Sequence, residues 1–343
     1  MVFDVNPNKK VAKYKQVLSE IEKSILDGTL EKGAWLPSMN EIAAETGISK
    51  ETVKRALVTL RDKGYIASCP GKGYYVSKTA DEIPHKLNIL MILSNMDLFK
   101  QMLVDSFNKT LRNDAEVRIV FHNNDVDQLE YYVDQNLDTY DYYVVIPHFS
   151  IDDETQMRVA KVLRRIPNRK FLMLDYYNRF MEGQFGAVCQ DMLKDPESGL
   201  SEAVEDLKRA KCFNLVTLPE SRYGALTQVS IMRFCERNGI QLRLMDSFPQ
   251  TVEDGEVFFL QTGRLSNSLA EFDEILRKNN KKIGKDVGLI SYNDVPLNAV
   301  VLGGLTTIST DFEKMGVTAA EMILSGKMAK VHNDFRMTRR ATF

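Results

Sequence analysis

The stretch from residue 36 to residue 76 restricts the fold more than any other part of the chain. Ser38 is a good helix N-cap, and Glu41 three residues later completes a capping box. Gly47 supplies the left-handed residue that a tight turn between helices needs. Ser49 then caps a second helix, and Gly64 ends it. This order of signals predicts two short helices joined by a tight turn.

The second helix has an apolar face and a polar N-terminal end. Val53, Ala56, Leu57 and Leu60 recur at helical spacing and define the buried face. A helix N-terminus carries unpaired N–H groups and the positive end of the dipole, so it favours phosphate. Polar and basic side chains in the first turns can also reach base edges in the major groove.

A glycine-tipped hairpin follows this helix. Residues 65–68 and 74–77 are β-prone, and the turn between them contains Gly71, Lys72 and Gly73. The glycines let the backbone approach a duplex closely, and Lys72 can meet a phosphate or enter the minor groove. A capped helix pair or a hairpin alone is common. The ordered set predicts a winged helix-turn-helix that binds DNA.

The same residues resemble the DNA-binding domain of GntR-family bacterial transcription regulators. The likeness rests on Leu36-Pro37-Ser38, on the run from Gly47 to Leu57, and on Gly71-Lys72-Gly73. Two arginines of the family motif are lysines here, and lysine lacks the bidentate fork that arginine offers to guanine. The resemblance implies DNA contacts from Ser38, Ser49, Lys50, Thr52, Val53, Lys54, Gly71, Lys72 and Gly73.

Length, charge and cysteines narrow the class of protein. A chain of 343 residues predicts two or three domains. Residues 1–80 carry 13 Lys and Arg against 9 Asp and Glu, a net of +4; the remaining 32 basic and 38 acidic residues give −6. A basic head on an acidic body fits a nucleic-acid-binding end. The sequence lacks a secretory signal pattern, an apolar run of about 20 residues and CxxC pairs, so we expect a cytoplasmic protein without a zinc site.

From residue 86 onward, strand-like runs alternate with helical patterns. The predicted strands are 87–93, 117–121, 142–146, 170–174, 185–188, 213–218, 241–245, 257–261 and 287–291. The predicted helices are 98–111, 128–137, 154–165, 200–210, 226–238, 269–279 and 312–325. The alternation predicts α/β architecture with parallel sheets, either one barrel or two doubly wound lobes.

Polar residues just after the predicted strands are candidate ligand contacts, because open α/β sheets bind ligands beyond the carboxyl ends of their strands. These residues are Ser94, Asn95, His148, Asp175, Gln190, Asp191, Thr262, Asn293 and Asp294.

The C-terminal part resembles the end of LacI/GalR-type effector domains. The likeness rests on residues 286–294, 305–308, 315–320 and 339–342. It implies a two-lobed, doubly wound α/β domain of the periplasmic-binding-protein type, with the last long helix returning to the first lobe. Asn293 stands where the family has Asp, and Thr262-Gly263 where it has Asn-Asp. The resemblance and the strand ends together give effector contacts at Ser94, Asp175, Asp191, Arg222, Thr262, Asn293 and Asp294.

Together the two resemblances predict a winged-helix domain at 1–78, a linker at 79–85 and an effector domain at 86–343. They imply a homodimeric, DNA-binding transcriptional repressor that responds to a sugar, for which an arabinose- or fucose-like monosaccharide is our guess. They imply neither a cofactor nor a metal. Two alternatives remain open: a ligand-binding protein whose winged domain contacts other proteins, and an α/β enzyme. The sequence lacks GxGxxG, GxxxxGKS, HExxH and GxSxG motifs, which disfavours the enzyme.

Overall fold

The computed structural model describes residues 3, 5, 12–78, 82, 86–217, 223–261 and 265–343, without the side chains of residues 265–267. Most of the expected linker, residues 79–81 and 83–85, lies outside this range. None of the helices in the described part of the chain has the length and apolar character that crossing a bilayer requires.

The head contains three helices and a two-stranded hairpin, as the local signals predict. The elements are α1 (Lys13–Leu26), α2 (Met39–Thr46), α3 (Lys50–Asp62), β1 (Ile66–Cys69) and β2 (Gly73–Val76). Ser38 and Glu41 form a reciprocal capping box at α2. Gly47 has φ +66° at the end of α2, so the left-handed turn that its sequence position predicts is present. The buried face of α3 packs against α1 and the hairpin, which closes one small core.

One expectation for the head is wrong. Trp35 is the one tryptophan of the chain, and its size predicts that it anchors the core of the head, yet its side chain is 50% exposed. Its backbone pairs with Tyr75 in an isolated antiparallel bridge, and the two rings lie 5.4 Å apart. A tilted ring contact with the half-buried Tyr75 of the hairpin therefore takes the place of burial for this side chain.

The body contains two lobes, each built on a six-stranded sheet. The first lobe has β3 (Leu87–Leu93), β4 (Ala115–Phe121), β5 (Tyr142–Val145), β6 (Phe171–Tyr176), β7 (Gly186–Gln190) and β13 (Lys330–His332), in the order β13-β7-β6-β5-β3-β4. Its helices are α4 (Leu98–Leu111), α5 (Val126–Asn136), α6 (Asp153–Leu163) and α11 (Phe312–Ser325). A short 3-10 helix spans Asn168–Lys170.

The second lobe repeats this architecture. Its strands are β8 (Cys212–Val216), β9 (Leu242–Met245), β10 (Glu256–Leu260), β11 (Gly288–Tyr292), β12 (Thr306–Thr310) and β14 (Phe335–Thr338), in the order β14-β12-β11-β10-β8-β9. Its helices are α7 (Asp195–Ser201), α8 (Val204–Arg209), α9 (Gly224–Asn238) and α10 (Leu265–Lys278), with 3-10 turns at Pro296–Ala299 and Val301–Gly303. Strands β8 to β12 pair in parallel, and β14 pairs antiparallel to β12.

The two-lobed fold that the alternating pattern and the second resemblance predict is confirmed, but β12, β13 and β14 are not among the nine predicted strands. Two further details differ. The single helix expected at 200–210 is two helices, α7 and α8, because the backbone leaves helical hydrogen bonding at Glu202 and Ala203. Residues 339–342, whose sequence resembles the closing strand of LacI/GalR-type effector domains, are irregular chain that follows β14.

The chain crosses between the lobes three times: after β7, between β12 and α11, and between β13 and β14. The second crossing returns α11 to the first lobe, where it packs along α4. Gly316 makes this approach possible, because a Cβ there would collide with the Leu103 carbonyl and the Ser106 hydroxyl. The three crossings form a hinge, and the carboxyl ends of both sheets meet beside it.

Candidate DNA-binding surface and effector cleft

The N-terminus of α3 is capped and presents basic side chains to solvent. Ser49 Oγ accepts a hydrogen bond of 3.3 Å from the Thr52 amide and lies 2.8 Å from Thr52 Oγ1. Lys50 and Lys54 are exposed, and the carboxylate nearest Lys54 is that of Glu51, at 3.9 Å. The cap fixes the first turn, so the two ammonium groups project from a rigid helix end whose dipole is positive.

Two of the expected DNA contacts, Val53 and Ser38, have structural roles within the head. Val53 is fully buried in the core of the head, so it cannot reach a nucleic acid and its assignment as a contact is wrong. Its role is packing of α3 against the other helices. Ser38 is exposed, but its hydroxyl is engaged in the cap of α2 through the Glu41 amide.

The hairpin turn has the backbone that its glycines predict. Gly71 has φ +77° and Gly73 φ +108°, both in the region that disfavours side chains. The Lys72 amide donates a 3.0 Å hydrogen bond to the Cys69 carbonyl and closes the turn. All three residues of the Gly71–Gly73 tip are exposed, so Lys72 is free to meet a phosphate.

The body holds a cleft of about 350 Å³ between its lobes. Polar residues that follow strands line it from both sides, as expected from the parallel sheets. From the first lobe and the hinge come Asn95, Asp97, Lys100, His148, Asp175 and Gln190; from the second come Tyr223, Thr227, Gln261, Tyr292 and Asn293. Rings of Phe99 and Phe312, stacked at 5.4 Å, add an apolar wall.

Asp175 is the central charged group of the cleft. It is the penultimate residue of β6, with φ +68°, and it is only 4% exposed. Its Oδ1 accepts a 2.6 Å hydrogen bond from Gln190 Nε2, and its Oδ2 lies 2.9 Å from His148 Nε2. Burial alone would raise the pKa of Asp175, but His148, Gln190 and Lys100 outweigh burial and hold that pKa below its ordinary value. The carboxylate is therefore ionised at neutral pH and can accept hydrogen bonds from a ligand.

Lys100 lies in the first turn of α4 and is buried at the cleft wall. Its ammonium donates a 2.7 Å hydrogen bond to Asn95 Oδ1 and forms an ion pair with Asp97, the N-cap of α4. The cleft therefore places a nitrogen partner beside each of its carboxylates, Lys100 beside Asp97 and His148 beside Asp175. An uncharged polar ligand meets the least electrostatic conflict in such a site.

Two tyrosines connect the second lobe to the hinge and the first lobe. Tyr223 donates a 3.0 Å hydrogen bond to the Phe149 carbonyl, and its ring centroid lies 5.0 Å from that of His148. Tyr292 donates a 3.1 Å hydrogen bond to Gln190 Oε1, which extends the polar chain from β11 to Asp175. Contacts from both lobes meet in one site, so its geometry depends on how far the lobes are closed.

The structure brings together only part of the expected effector set. Asp175 and Asn293 line the cleft. Ser94 is buried behind it, with Oγ 3.4 Å from Asn95 Oδ1, and Asn95 takes the lining position. Arg222 and Thr262 lie outside the described residues.

Two of the expected acidic contacts do not line the cleft. Asp294 is held by Arg340, with distances of 3.0 Å and 2.7 Å to its two oxygens, so its assignment as a cleft residue is wrong. Its partner lies 46 positions further along the chain, so the local pattern after β11 gives no sign of it. Asp191 lines a different cavity at the hinge, where its Oδ1 accepts a hydrogen bond from the Leu193 amide.

Several cleft residues were missed by reasoning from strand ends. Lys100, Thr227 and Tyr223 belong to helices or helix starts, and Tyr292 is the last residue of a strand. The sequence did contain a signal for Lys100. Asp97 is the N-cap of α4, shortly after β3, so the first turn of α4 faces the strand ends. Nothing comparable marks Tyr223, which reaches the cleft from the other lobe.

Two family descriptions match the chain. Residues 13–76 match the bacterial regulatory proteins of the gntR family, and residues 268–341 match the periplasmic binding protein-like domain. The uncharacterized HTH-type transcriptional regulator YdcR of Escherichia coli strain K12 is 36% identical over 72 residues, which are 21% of this chain and 15% of that protein. The chain thus spans less than a sixth of the length of this relative.

Longer matches cover the body. The arabinose metabolism transcriptional repressor of Halalkalibacterium halodurans is 22% identical over 344 aligned positions, covering 91% of this chain and 88% of that protein. A LacI family transcriptional regulator from Lactobacillus casei, solved with bound sucrose, superposes with a TM-score of 0.54 at 14% identity, covering 75% of this chain and 99% of the solved chain. The likeness at this identity concerns the fold. The chain thus combines a GntR-type helix-turn-helix domain at its N-terminus with a LacI-type, periplasmic-binding-protein-like domain.

Proposed function

We propose that the protein is a DNA-binding transcriptional repressor whose DNA affinity depends on a small polar effector, with a monosaccharide as the favoured class. The observation that carries the proposal is the first turn of α3, where a Ser49 cap holds the exposed Lys50 and Lys54 at the positive end of a helix. Such an end suits phosphate and base contacts. The similarity of the head to gntR-family regulators supports this assignment.

The DNA-binding part can be tested by charge removal. Lys54→Ala should weaken operator binding by about 1–3 kcal/mol if Lys54 reads a base, and Lys72→Ala should lower affinity for all sequences and reduce the salt slope by about 1. Lys285→Ala removes the same charge from an exposed position of the second lobe and should bind like the parent. Fluorescence anisotropy with operator and random DNA at several salt concentrations measures all three. Parent-like binding by both head variants would remove the winged domain as the DNA reader.

The effector part follows from the chemistry of the cleft. Sugar hydroxyls donate to buried carboxylates and amide oxygens, which Asp175 and Asn293 supply from opposite lobes. The paired charges suit an uncharged ligand, and the aromatic wall suits the apolar face of a sugar ring. A relative named for arabinose metabolism and a similar fold solved with sucrose agree with this class.

A thermal-shift screen of monosaccharides, including arabinose and fucose, tests this part, because a ligand that binds only the folded state stabilises it. We expect at least one sugar to raise the melting temperature and to change operator affinity. If no sugar at millimolar concentration does either, the effector belongs to another class.

The remaining parts of the proposal concern assembly and coupling. We propose a cytoplasmic homodimer, because paired half-sites need paired readers. We place the domain boundary at residues 79–85, so that residues 86–343 should fold and bind the effector alone. Closure of the two lobes is the two-state element, and a ligand shifts it only by its differential affinity for the two states. Sedimentation of the full chain and titration of the isolated body test these statements.

A further inference from the structure

A second cavity, of about 590 Å³, lies at the hinge of the body. This volume falls within the range of about 300–1,000 Å³ that small-molecule sites occupy. The hinge cavity shares Gln190 and Met192 with the effector cleft, so the two sites have a common wall. Gln190 is also the residue that bonds Asp175 in the cleft.

Both lobes contribute to the hinge cavity. Ile151, Tyr176, Tyr177 and Val331 come from the first lobe, and Leu226 comes from α9 of the second. The chain between β7 and α7 adds Met192 and Leu193. A molecule in this cavity would therefore contact surfaces that move when the lobes open or close.

The walls of the hinge cavity are mostly apolar or aromatic, and part of them faces solvent. Leu193 is 39% exposed and Val331 37% exposed, and both apolar side chains line this one concave site. Tyr176 and Tyr177 add two aromatic rings to the lining of the cavity. These walls suit a planar aromatic molecule.

One cation that lines the hinge cavity has no carboxylate partner in the described part of the chain. Arg179 is paired with Asp153, His332 Nε2 lies 2.8 Å from Asp195 Oδ1, and Asp191 lies near Lys194. Lys330 has no carboxylate partner among the residues that the structure describes. Its ammonium donates a 2.8 Å hydrogen bond to the Tyr177 hydroxyl and sits 4.6 Å from the centre of the Phe185 ring.

We propose that the hinge cavity is a second ligand site, which takes an aromatic monoanion such as an aromatic carboxylate or sulfonate. The ring lies against the apolar and tyrosine walls, and the anionic group pairs with Lys330. Because the cavity and the cleft share a wall and both depend on lobe closure, the two ligands change each other's affinity by the same factor. This coupling rests on the proposed function, whereas binding at the hinge does not.

The test uses the full chain and the fluorescent aromatic sulfonate 1-anilinonaphthalene-8-sulfonate. We expect saturable binding of one equivalent per chain, and at least a tenfold loss of affinity in Lys330→Met, which keeps the length of the side chain but removes its charge. Lys330→Arg retains the charge and therefore the ion pair with the sulfonate. Its affinity should stay within about threefold of the parent's, a difference of about 0.7 kcal/mol. Melting curves of each variant confirm folding.

Two controls separate the hinge from other sites. Lys327→Met removes an exposed charge three residues away, outside the cavity, and should leave the affinity unchanged. Phe99→Ala removes part of the aromatic wall of the cleft, which the hinge cavity does not share, and should also leave it nearly unchanged. Parent-like affinity in Lys330→Met, or an equal loss in Lys327→Met, overturns the proposal. A loss confined to Phe99→Ala places the probe in the cleft and overturns it as well, while failure of the sugar screen alone leaves the hinge site standing.

Discussion

Asp175→Asn is the substitution that most directly tests the cleft. In the folded protein the carboxylate has two close partners, Gln190 Nε2 at 2.6 Å and His148 Nε2 at 2.9 Å, and it is nearly inaccessible to water. The amide keeps the shape of the side chain but loses the charge that both partners stabilise. Breaking a buried pair costs about 3–5 kcal/mol, and the Asn amide can still hydrogen-bond one partner, so we expect about 3 kcal/mol of lost stability.

The same change should weaken the effector. A ligand hydroxyl that donates to Asp175 loses a charge-assisted partner in a site with little water, at a cost of about 1–3 kcal/mol. This corresponds to roughly 5- to 150-fold in the dissociation constant. Urea unfolding measures the stability, and isothermal titration with the sugar found in the screen measures the affinity.

Asp294→Ala is the matched control for this experiment. Asp294 is also a partly buried carboxylate with a cationic partner, but it pairs with Arg340 outside the cleft. We expect it to lose about 1–3 kcal/mol of stability and to keep the effector affinity of the parent. If Asp175→Asn binds the sugar as tightly as the parent, or if the two variants lose equal affinity, our account of the cleft is refuted.

Three further predictions concern a turn, a contact between lobes and acid stability. Gly47→Ala should destabilise the head by about 1–2 kcal/mol, measured by unfolding of the head, because φ is +66° and backbone strain is the only penalty at this open position. Tyr223→Phe removes the hydrogen bond to the Phe149 carbonyl and should weaken the effector about fivefold in titration, a cost of about 1 kcal/mol; unchanged affinity would show that this bond does not favour closure. The pKa of Asp175 is lowered on folding, so its stabilisation is present above about pH 4 and lost as pH falls through the folded pKa. The stability gap between parent and Asp175→Asn should therefore shrink in acid, and a gap that grows would contradict the assigned direction.

Local signals in the sequence predicted the head in most details. Caps and turn glycines act over three or four residues, so Ser38, Gly47 and Ser49 could be placed without knowledge of the tertiary fold. Trp35 was misplaced because its size suggested burial, while its position next to the hairpin decided otherwise. Burial of a single aromatic residue depends on neighbours that are distant in sequence.

The cleft was predicted in part, for a similar reason. The strand-end rule found Asp175 and Asn293, because parallel strands bring their carboxyl ends to one edge. It also selected Asp294, whose partner Arg340 is fixed only by the final fold. Tyr223 comes from the opposite lobe, and sequence spacing carries no information on which residues face each other across a cleft.

The three hinge crossings also have a consequence for synthesis of the chain. The first lobe begins at β3 but is complete only when α11 and β13 arrive from residues 312–332. About 140 residues are made between the end of β7 and the end of β13, which takes about 7–28 s at 5–20 residues per second. During that interval the apolar face of α4 and the open edge of β7 lack their partners, and unpaired edges invite association with other chains. The discontinuous lobe that permits a hinge thus makes the growing chain vulnerable on the ribosome until its last strands appear.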